Sequence, residues 1–372
     1  MEISAAFDSG NIEVLGLDEQ GAMRLALRRD VGDEHMQWFH FRVSGARDQD
    51  CVLRIVNASS ASYPVAWMGY RACTSADRRT WTRVDTRYEG GELVIRHRPQ
   101  GDLQWYAYFA PFSLEQHQDL LACCQGSPLA RLDRLGSTLD GRDLDRVRVG
   151  EGLRSLWIIA RQHPGESMAS WWMQGFLGRL LDPADALARK LRGLATLHVV
   201  PNMNPDGSVR GHLRCNASGA NLNREWHGPS LERSPEVVHT LAAMDASGVD
   251  FCLDVHGDEE LPYNFLSGPE GIEGYAEGRI PHLNEVFASA YQRANPDLQR
   301  LHGYPIDAPG TANMTMCTNA VSARFGSPGF TLEMPFKDNA DLPDAARGWS
   351  PGRSCRLGAD SLHAFAAVIA AL

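Results

Sequence analysis

Short apolar runs separated by turn-forming residues fill the first 110 positions of the chain. Four of these runs are rich in β-branched or aromatic residues, and they are Gln37–Val43, Cys51–Val56, Glu92–Arg96 and Leu103–Phe109. No segment in this part repeats its apolar residues with the period of a helix. Short strands at this spacing are typical of an antiparallel sandwich. The pattern predicts an independent antiparallel β-sandwich domain over residues 1–112.

Strand and helix patterns alternate in the rest of the chain. Strands are predicted where apolar residues alternate or run together, at Leu144–Val149, Leu156–Ala160, Thr196–Val200, Phe251–Val255 and Gly329–Glu333. Helices are predicted where apolar residues recur at helical spacing or a capping signal occurs, at Ser113–Leu121, Ser167–Leu180, Ser234–Met244, Pro281–Ala294 and Asp360–Leu372. The alternation predicts an α/β domain over residues 113–372, with a mixed sheet covered by helices on both faces.

Charge and composition narrow the range of partners. Asp and Glu outnumber Lys and Arg by 46 to 36, and the net charge of −10 argues against a general nucleic-acid or anionic-membrane surface. The N-terminus lacks a signal-peptide pattern, and no stretch approaches the roughly 18 apolar residues of a membrane span. The eight cysteines include no CxxC pair. We therefore expect reduced, mostly buried thiols and a cytoplasmic protein that binds neither nucleic acid nor membranes.

A histidine and a glutamate follow the predicted strand that ends at Ala160. His163-Pro-Gly-Glu166 forms a turn before the next helix, and His256 follows the strand Phe251–Val255 in the same way. Open α/β sheets place their sites at the carboxyl ends of strands. Catalytic zinc usually has three protein ligands, and two histidines with one glutamate form an attested set. The sequence therefore predicts a zinc site made by His163, Glu166 and His256.

The His-x-x-Glu pattern alone is weak evidence, because it occurs three times in this chain. His282 and Glu285 fall inside a predicted helix, where a solvated face explains them. A hydrogen-bonded turn histidine would explain either His163 or His256 taken singly. Their joint position after two strand ends favours the metal site.

Other polar residues suit hydrolysis beside such a metal. Glu333 ends the last predicted strand, where a carboxylate can act as a general base toward water. Arg214 lies in a polar stretch, and an arginine beside a metal-bound carbonyl stabilises an oxyanion. Asn223 and Arg224 can bind a carboxylate at two points. Ordinary surface ion pairs would also explain each of these residues taken alone.

Six ordered motifs together resemble the M14 family of zinc carboxypeptidases. The motifs are His163–Glu166, Asn204–Gly207, Arg214-Cys215, Leu222–Arg224, Asp254–Gly257 and Phe330–Glu333. The similarity is closest to the cytosolic carboxypeptidase branch, whose N-terminal β domain resembles the segments Trp38–Val43 and Ala107–Phe112. The resemblance thus extends over nearly the whole chain.

The resemblance implies a role for each candidate residue. The two histidines and the glutamate of the predicted site would bind one Zn²⁺ per chain, and Glu333 would be the base and proton shuttle. Arg214 would polarise the scissile carbonyl and hold the oxyanion. Asn223 and Arg224 would bind the terminal carboxylate of the substrate. The implied enzyme is a metallocarboxypeptidase that acts on the C-termini of peptides or proteins.

Three positions need separate mention. The family commonly has Asp where this chain has Asn221, and that Asp supports a zinc-binding histidine; an amide oxygen can still accept the imidazole N–H but adds no charge. Tyr304 is the candidate for the tyrosine that many members place over the substrate carboxylate. Eukaryotic members of the branch remove acidic residues, and Arg324 resembles the arginine that receives such a side chain. A surface loop explains Arg324 equally well.

Two other functions fit part of the pattern. An N-acyl amino-acid deacylase of the aspartoacylase type has a related fold, similar ligands and an Arg plus Asn-Arg set. The N-terminal β domain and the segment Leu222–Trp226 favour the carboxypeptidase. An inactive binding protein of the same fold is disfavoured, because every metal and base position is filled. The sequence leaves the oligomeric state open, a homo-oligomer included.

Overall fold

The computed structural model describes all 372 residues. Its first part contains ten strands: β1 (Glu2–Ser4), β2 (Glu13–Leu17), β3 (Met23–Ala26), β4 (His40–Ser44), β5 (Cys51–Ile55), β6 (Cys73–Ser75), β7 (Thr82–Arg83), β8 (Asp85–Glu89), β9 (Glu92–His97) and β10 (Leu103–Ala107). They form two five-stranded sheets, in the orders β1-β4-β10-β6-β7 and β2-β3-β5-β9-β8. Neighbouring strands are antiparallel except β3 and β5, which run parallel. We call residues 1–112 the N-terminal β region.

The two sheets of the N-terminal β region pack face to face. Leu53 and Ile95 of one sheet and Phe41 and Tyr106 of the other belong to the same buried cluster. His97 Nδ1 lies 2.9 Å from the Tyr106 hydroxyl and so joins the two sheets by a hydrogen bond. The predicted β-sandwich is therefore confirmed, and the parallel β3–β5 pair is its one departure from antiparallel pairing.

The rest of the chain, here called the α/β region, has seven strands in one sheet. They are β11 (Ala130–Ser137), β12 (Asp143–Val149), β13 (Arg154–Ala160), β14 (Ala195–Val200), β15 (Phe251–Val255), β16 (Phe265–Ser267) and β17 (Gly329–Glu333). The sheet order is β11-β12-β14-β13-β15-β17-β16. The central strands β14, β13, β15 and β17 are parallel, and the outer strands pair antiparallel. The predicted mixed sheet is confirmed.

Eight α-helices surround this sheet. They are α1 (Leu114–Gln125), α2 (Ser167–Leu180), α3 (Ala186–Leu194), α4 (Pro205–Arg210), α5 (Pro235–Ser247), α6 (Ile280–Ala294), α7 (Cys317–Phe325) and α8 (Pro351–Ala371). Alternate residues of β13 face two different cores. Leu156 and Ile158 pack with the cluster that contains α2, α6 and α8, whereas Trp157 and Ile159 pack with α5 and α7. Helices therefore cover both faces, as predicted, and none is long and apolar enough to cross a membrane.

Some helices differ from the prediction, and the early start of α8 is the clearest case. α8 begins at Pro351, nine residues before the predicted start at Asp360. Its first turns bury Arg353, whose Nε donates to Asp297 Oδ2 at 3.2 Å. Helices α3, α4 and α7 were not predicted at all. A buried, ion-paired arginine looks like a surface residue in a hydrophobicity pattern.

The N-terminal β region shares its core with the α/β region. The Tyr108 ring stacks on Phe336 with centroids 4.4 Å apart, and the Phe112 ring meets Trp171 edge-on at 4.8 Å. Arg83 Nη2 donates to the carbonyl of Phe336 at 2.7 Å. One buried cluster of 70 residues spans both regions. Burying such an aromatic ring stabilises the fold by roughly 1.5–3 kcal/mol. The two regions therefore share a core, and the division of the chain into separate domains stays a prediction.

Candidate active site

Strand pairing brings the predicted site residues to one edge of the sheet. β13 and β15 are parallel neighbours with Ala160 opposite Val255, so the turns that follow them lie side by side. β15 and β17 are also parallel neighbours, with Val255 opposite Leu332. His256 and Glu333 are the next residues of these two strands. The site therefore forms where three parallel strands end.

Arg161 holds the turn after β13. Its φ is +60°, a conformation that costs a residue other than glycine roughly 1–3 kcal/mol. Its side chain is buried, with Nε donating to Pro164 O at 3.0 Å and Nη1 to Phe112 O at 2.9 Å. These bonds close the turn that carries His163 toward α2.

The three predicted ligands meet at one point. His163 Nδ1 lies 2.6 Å from Glu166 Oε1, and His256 Nδ1 lies 2.9 Å from Glu166 Oε2. The two Nδ1 atoms are 3.2 Å apart. All three residues are buried, with His163 the most accessible at 4%. Two imidazole nitrogens and a carboxylate converging in this way match the donor set that zinc prefers, so the residues fit the ion.

A buried chain of hydrogen bonds supports His256. Its Nε2 lies 2.9 Å from Asp254 Oδ2, which also accepts a hydrogen bond from Gln162 Nε2 at 2.6 Å. Gln162 Oε1 in turn accepts the indole N–H of Trp226 at 2.8 Å. Sequence reasoning assigned no role to Asp254. Its one signal was a carboxylate inside the otherwise apolar strand β15.

A neutral amide supports His163. His163 Nε2 lies 2.9 Å from Asn221 Oδ1, the position where the family commonly has a carboxylate. The same oxygen accepts the backbone N–H of Asn223 at 3.0 Å, and this bond fixes the orientation of the amide. The structure thus places Asn221 where the sequence comparison expected a supporting residue.

The electrostatic surroundings of the three ligands differ. Burial and the nearby Arg214 lower the pKa of His163 to about 3. Burial alone would also lower the pKa of His256, but Asp254 and Glu166 raise it well above its usual value. Burial would raise the pKa of Glu166, but the two histidines hold it well below its usual range. Glu166 is therefore an anion at neutral pH.

Glu333 lies at the end of β17 with one oxygen free. Its Oε1 is 3.2 Å from the Tyr304 hydroxyl, which donates to Asp258 Oδ2 at 2.6 Å. Its Oε2 is buried without a hydrogen-bond partner. Burial raises the pKa of Glu333 well above its usual value; His256 opposes this shift, and the nearby acids Glu166 and Asp258 add to it. Tyr304 is thus brought to the site together with Glu333.

The predicted carbonyl- and carboxylate-binding residues lie close to the predicted ligands and to Tyr304. The Arg214 guanidinium lies over the ring of Tyr63, 5.8 Å from its centroid. Burial would lower the pKa of Arg214, but charges that include Glu259 and Glu166 raise it. Asn223 is buried, and its Oδ1 accepts the backbone N–H of Cys317 at 2.8 Å. Arg224 is exposed, and its Nη1 donates to the carbonyl of Asn223 at 2.6 Å.

Arg324 is the predicted site residue that the structure does not bring to the site. It lies on α7, and its Nε donates to Asp245 Oδ1 at 2.7 Å on the exposed surface. Asp245 is near the end of α5, which leads into the amino end of β15. Arg324 therefore lies at the edge of the sheet opposite His256. The sequence pattern does not predict the helix α7 that carries it.

A second group of possible metal ligands lies outside the predicted site. Atoms of Asp33, His35 and Cys215 lie within 4.8 Å of one another. Cys215 is buried, but His35 and Asp33 expose 32% and 26% of their side chains. Sequence reasoning did not group these residues, because they belong to separate regions of the chain.

Known proteins match both regions of this chain. Residues 3–109 match the cytosolic carboxypeptidase N-terminal domain, and residues 123–269 match the zinc carboxypeptidase family. An uncharacterised protein of Zymomonas mobilis is 48% identical over 99% of this chain and 97% of its own length. A metallo-carboxypeptidase structure from Burkholderia cenocepacia is 43% identical, covers each chain in full and superposes with a TM-score of 0.97. Human cytosolic carboxypeptidase 1 is 27% identical over 72% of this chain, which spans only 26% of the human protein.

The fold, the two family matches and the full-length metallo-carboxypeptidase likeness agree on one class of enzyme, a metallocarboxypeptidase. The chain belongs to the M14 zinc carboxypeptidase family, in its cytosolic carboxypeptidase branch. Zinc is the cofactor of that family.

Proposed function

We propose that this protein removes the C-terminal residue from peptides or proteins, with one zinc ion per chain held by His163, Glu166 and His256. The observation that carries the proposal is the meeting of these three ligands beside the free Oε2 of Glu333. When bound, zinc polarises a carbonyl and lowers the pKa of water to about 7.

Glu333 would move the proton. Its unpartnered Oε2 is free to accept a proton from water and to pass it to the leaving nitrogen. Oε1 stays near the Tyr304 hydroxyl, which keeps the carboxylate in place during the transfer. A buried carboxylate with a raised pKa holds that proton better than an exposed one would.

The arginines would bind the substrate. Arg214 is charged and lies near His163 and Glu166, so it would stabilise the negative charge that develops on the scissile carbonyl oxygen. Asn223 and Arg224 would bind the terminal carboxylate. The Tyr304 hydroxyl could join them only by turning its one proton away from Asp258. A site that must hold a free carboxylate acts only at chain ends. The proposal is therefore an exopeptidase.

Arg324, the residue expected to carry a preference for C-terminal glutamate, pairs with Asp245 on the surface instead. The remaining arginines, Arg214 and Arg224, are assigned to the carbonyl and to the terminal carboxylate. We therefore leave an acidic side-chain preference out of the proposal and test it directly.

The test is a panel of peptides that differ only in the C-terminal residue, assayed with and without a zinc chelator. We expect release of the last residue, its loss with chelator, and no release from matched peptides with an amidated C-terminus. Equal cleavage of amidated peptides would contradict the exopeptidase. Release of acetate from acetyl-aspartate instead of residues from peptides would favour the deacylase, and a folded protein that takes up no zinc would favour the binding protein.

We also propose a cytoplasmic location. All eight cysteines are free thiols, and six of them are buried. Free thiols are typical of reducing compartments. The match to a domain described from cytosolic carboxypeptidases is in line with this location. Cell fractionation checks it.

A further inference from the structure

The N-terminal β region holds the loop that carries Arg214. The carboxylate of Asp30 accepts three consecutive backbone N–H groups of that loop. Leu213 N donates to Oδ1 at 2.7 Å, Arg214 N donates to Oδ2 at 2.7 Å, and Cys215 N donates to Oδ2 at 2.9 Å. Asp30 itself is only 2% exposed. A carboxylate buried to this degree needs all of these donors, because an unpaired buried charge is very costly.

Neighbouring contacts fix the same loop from the same side. Val31 N donates to His212 Nε2 at 3.1 Å, and His212 Nδ1 lies 3.0 Å from the carbonyl of Cys215. Asn11 Nδ2 donates to the carbonyl of Gly211 at 2.7 Å. Gly211 has φ +69°, and a Cβ there would lie 2.7 Å from the carbonyl oxygen of Ser9. The loop therefore cannot shift without breaking contacts to the N-terminal β region.

The side chain of Arg214 also meets this region. Its guanidinium lies over the ring of Tyr63, whose backbone N–H donates to Gln37 Oε1 at 2.8 Å. Gln37 Nε2 donates back to the carbonyl of Tyr63 at 3.1 Å. Both the backbone and the guanidinium of Arg214 are thus placed by residues that lie outside the α/β region.

We propose that Asp30 is a positioning residue for Arg214, acting across the boundary between the two regions. This inference rests on the proposed function, in which Arg214 stabilises charge on the scissile carbonyl oxygen. Such stabilisation depends on donors preorganised at the place where charge develops, and a displacement of about 1 Å can cost about 10²-fold in rate. The N-terminal β region is then a working part of the active site.

The first test is Asp30→Asn, which keeps the size of the side chain but turns an N–H₂ toward backbone donors. We expect faster hydrogen exchange at the amides of residues 213–215, because their acceptor is weakened. We also expect kcat to fall about 10- to 100-fold while KM changes less than about threefold and zinc content stays at one per chain. The matched control is Asp8→Asn. Asp8 also belongs to the N-terminal β region and accepts a backbone N–H of the α/β region, that of Leu114, at 2.8 Å.

The second test is a double-mutant cycle with Arg214→Ala. If Asp30 acts through Arg214, Asp30→Asn should lower kcat much less in the Arg214→Ala background than in the parent protein. Equal losses in both backgrounds, or unchanged exchange of residues 213–215 in Asp30→Asn, would overturn the proposal. Hydrogen exchange needs no substrate, so it tests the contact even if the parent protein cleaves no peptide. A parent protein that cleaves no peptide would count against the proposed function, and not against the contact between Asp30 and residues 213–215.

Discussion

The two histidines of the proposed zinc site are held in different ways. After β15, the His256 imidazole contacts a buried carboxylate, Asp254, which also accepts a hydrogen bond from Gln162. After β13, the His163 imidazole contacts a neutral amide, Asn221, and lies near the positive charge of Arg214. The distances from imidazole to partner are the same, 2.9 Å in each case.

The comparison separates the position of a ligand from its basicity. Either partner can accept an imidazole N–H and so fix which nitrogen faces the metal. Only a carboxylate also adds negative charge and makes the imidazole a stronger donor. We therefore expect His256 to contribute more to zinc affinity than His163, although both are buried. The following changes test that expectation, from the largest effect to the smallest.

His256→Ala removes the histidine that we expect to contribute more to zinc affinity. Structural zinc sites are worth about 10–16 kcal/mol in all, so losing one of three ligands, about 3–5 kcal/mol, should weaken binding roughly 10²- to 10⁴-fold. We expect little zinc in the purified protein by mass spectrometry, and a smaller loss for His163→Ala. The matched control is His35→Ala in the second ligand group, which should leave one zinc per chain. A loss of zinc in His35→Ala would move the metal site there.

Asp254→Asn keeps the hydrogen bond to His256 but removes the charge. Loss of such a supporting partner typically lowers metal affinity about 10- to 100-fold. We expect a loss of zinc affinity in that range, measured by competition with a fluorescent chelator. Asp250, at the other end of β15 and paired with Arg154, provides a control in Asp250→Asn. Equal zinc affinity in Asp254→Asn and the parent protein would refute the expected difference between His256 and His163.

Asn221→Asp gives His163 a carboxylate partner, as His256 already has in Asp254. The new carboxylate can still accept the backbone N–H of Asn223 and the imidazole of His163. We expect zinc affinity to rise by up to about tenfold, the reverse of the change at Asp254. Weaker binding would mean that the proximity of another acid to Glu166 matters more than the basicity of His163.

Arg324 contacts neither histidine nor its partner, so Arg324→Ala should have the smallest effect of the four changes. Its ion pair with Asp245 is on the surface, so the free energy of unfolding should fall by less than about 1 kcal/mol. The ratio of kcat/KM for peptides ending in Glu and in Leu should stay unchanged. A selective loss on the Glu peptide would return Arg324 to the substrate pocket.

The sequence predicted residues that follow strand ends better than residues that act through a partner. His163, His256 and Glu333 each follow or end an apolar run, and parallel pairing alone brings such positions to one edge. Asp254 sits inside a run, and nothing in a linear pattern indicates that it faces a ligand. Arg324 was misplaced because α7 was not recognised, so the edge of the sheet to which it belongs was unknown.

Contacts between the two regions were also beyond the reach of the sequence pattern. Asp30 lies in a turn of the N-terminal β region, and its three bonds go to amides more than 180 positions away. Backbone donors leave no signature in a sequence. Tyr108 and Phe112 lie in segments assigned to the N-terminal β domain, but their spacing does not indicate that they pack against Phe336 and Trp171.

The shared core of the two regions has a consequence for folding. Because Tyr108 stacks on Phe336 and Phe112 meets Trp171, neither region can unfold without exposing apolar rings of the other. We therefore expect a single cooperative transition in thermal or denaturant unfolding, with equal midpoints by tryptophan fluorescence and by circular dichroism. A chain that lacks residues 1–112 would present Phe336 and Trp171 to water and would aggregate on synthesis. The ten strands that begin the chain are, in this sense, a folding partner covalently attached to the enzyme.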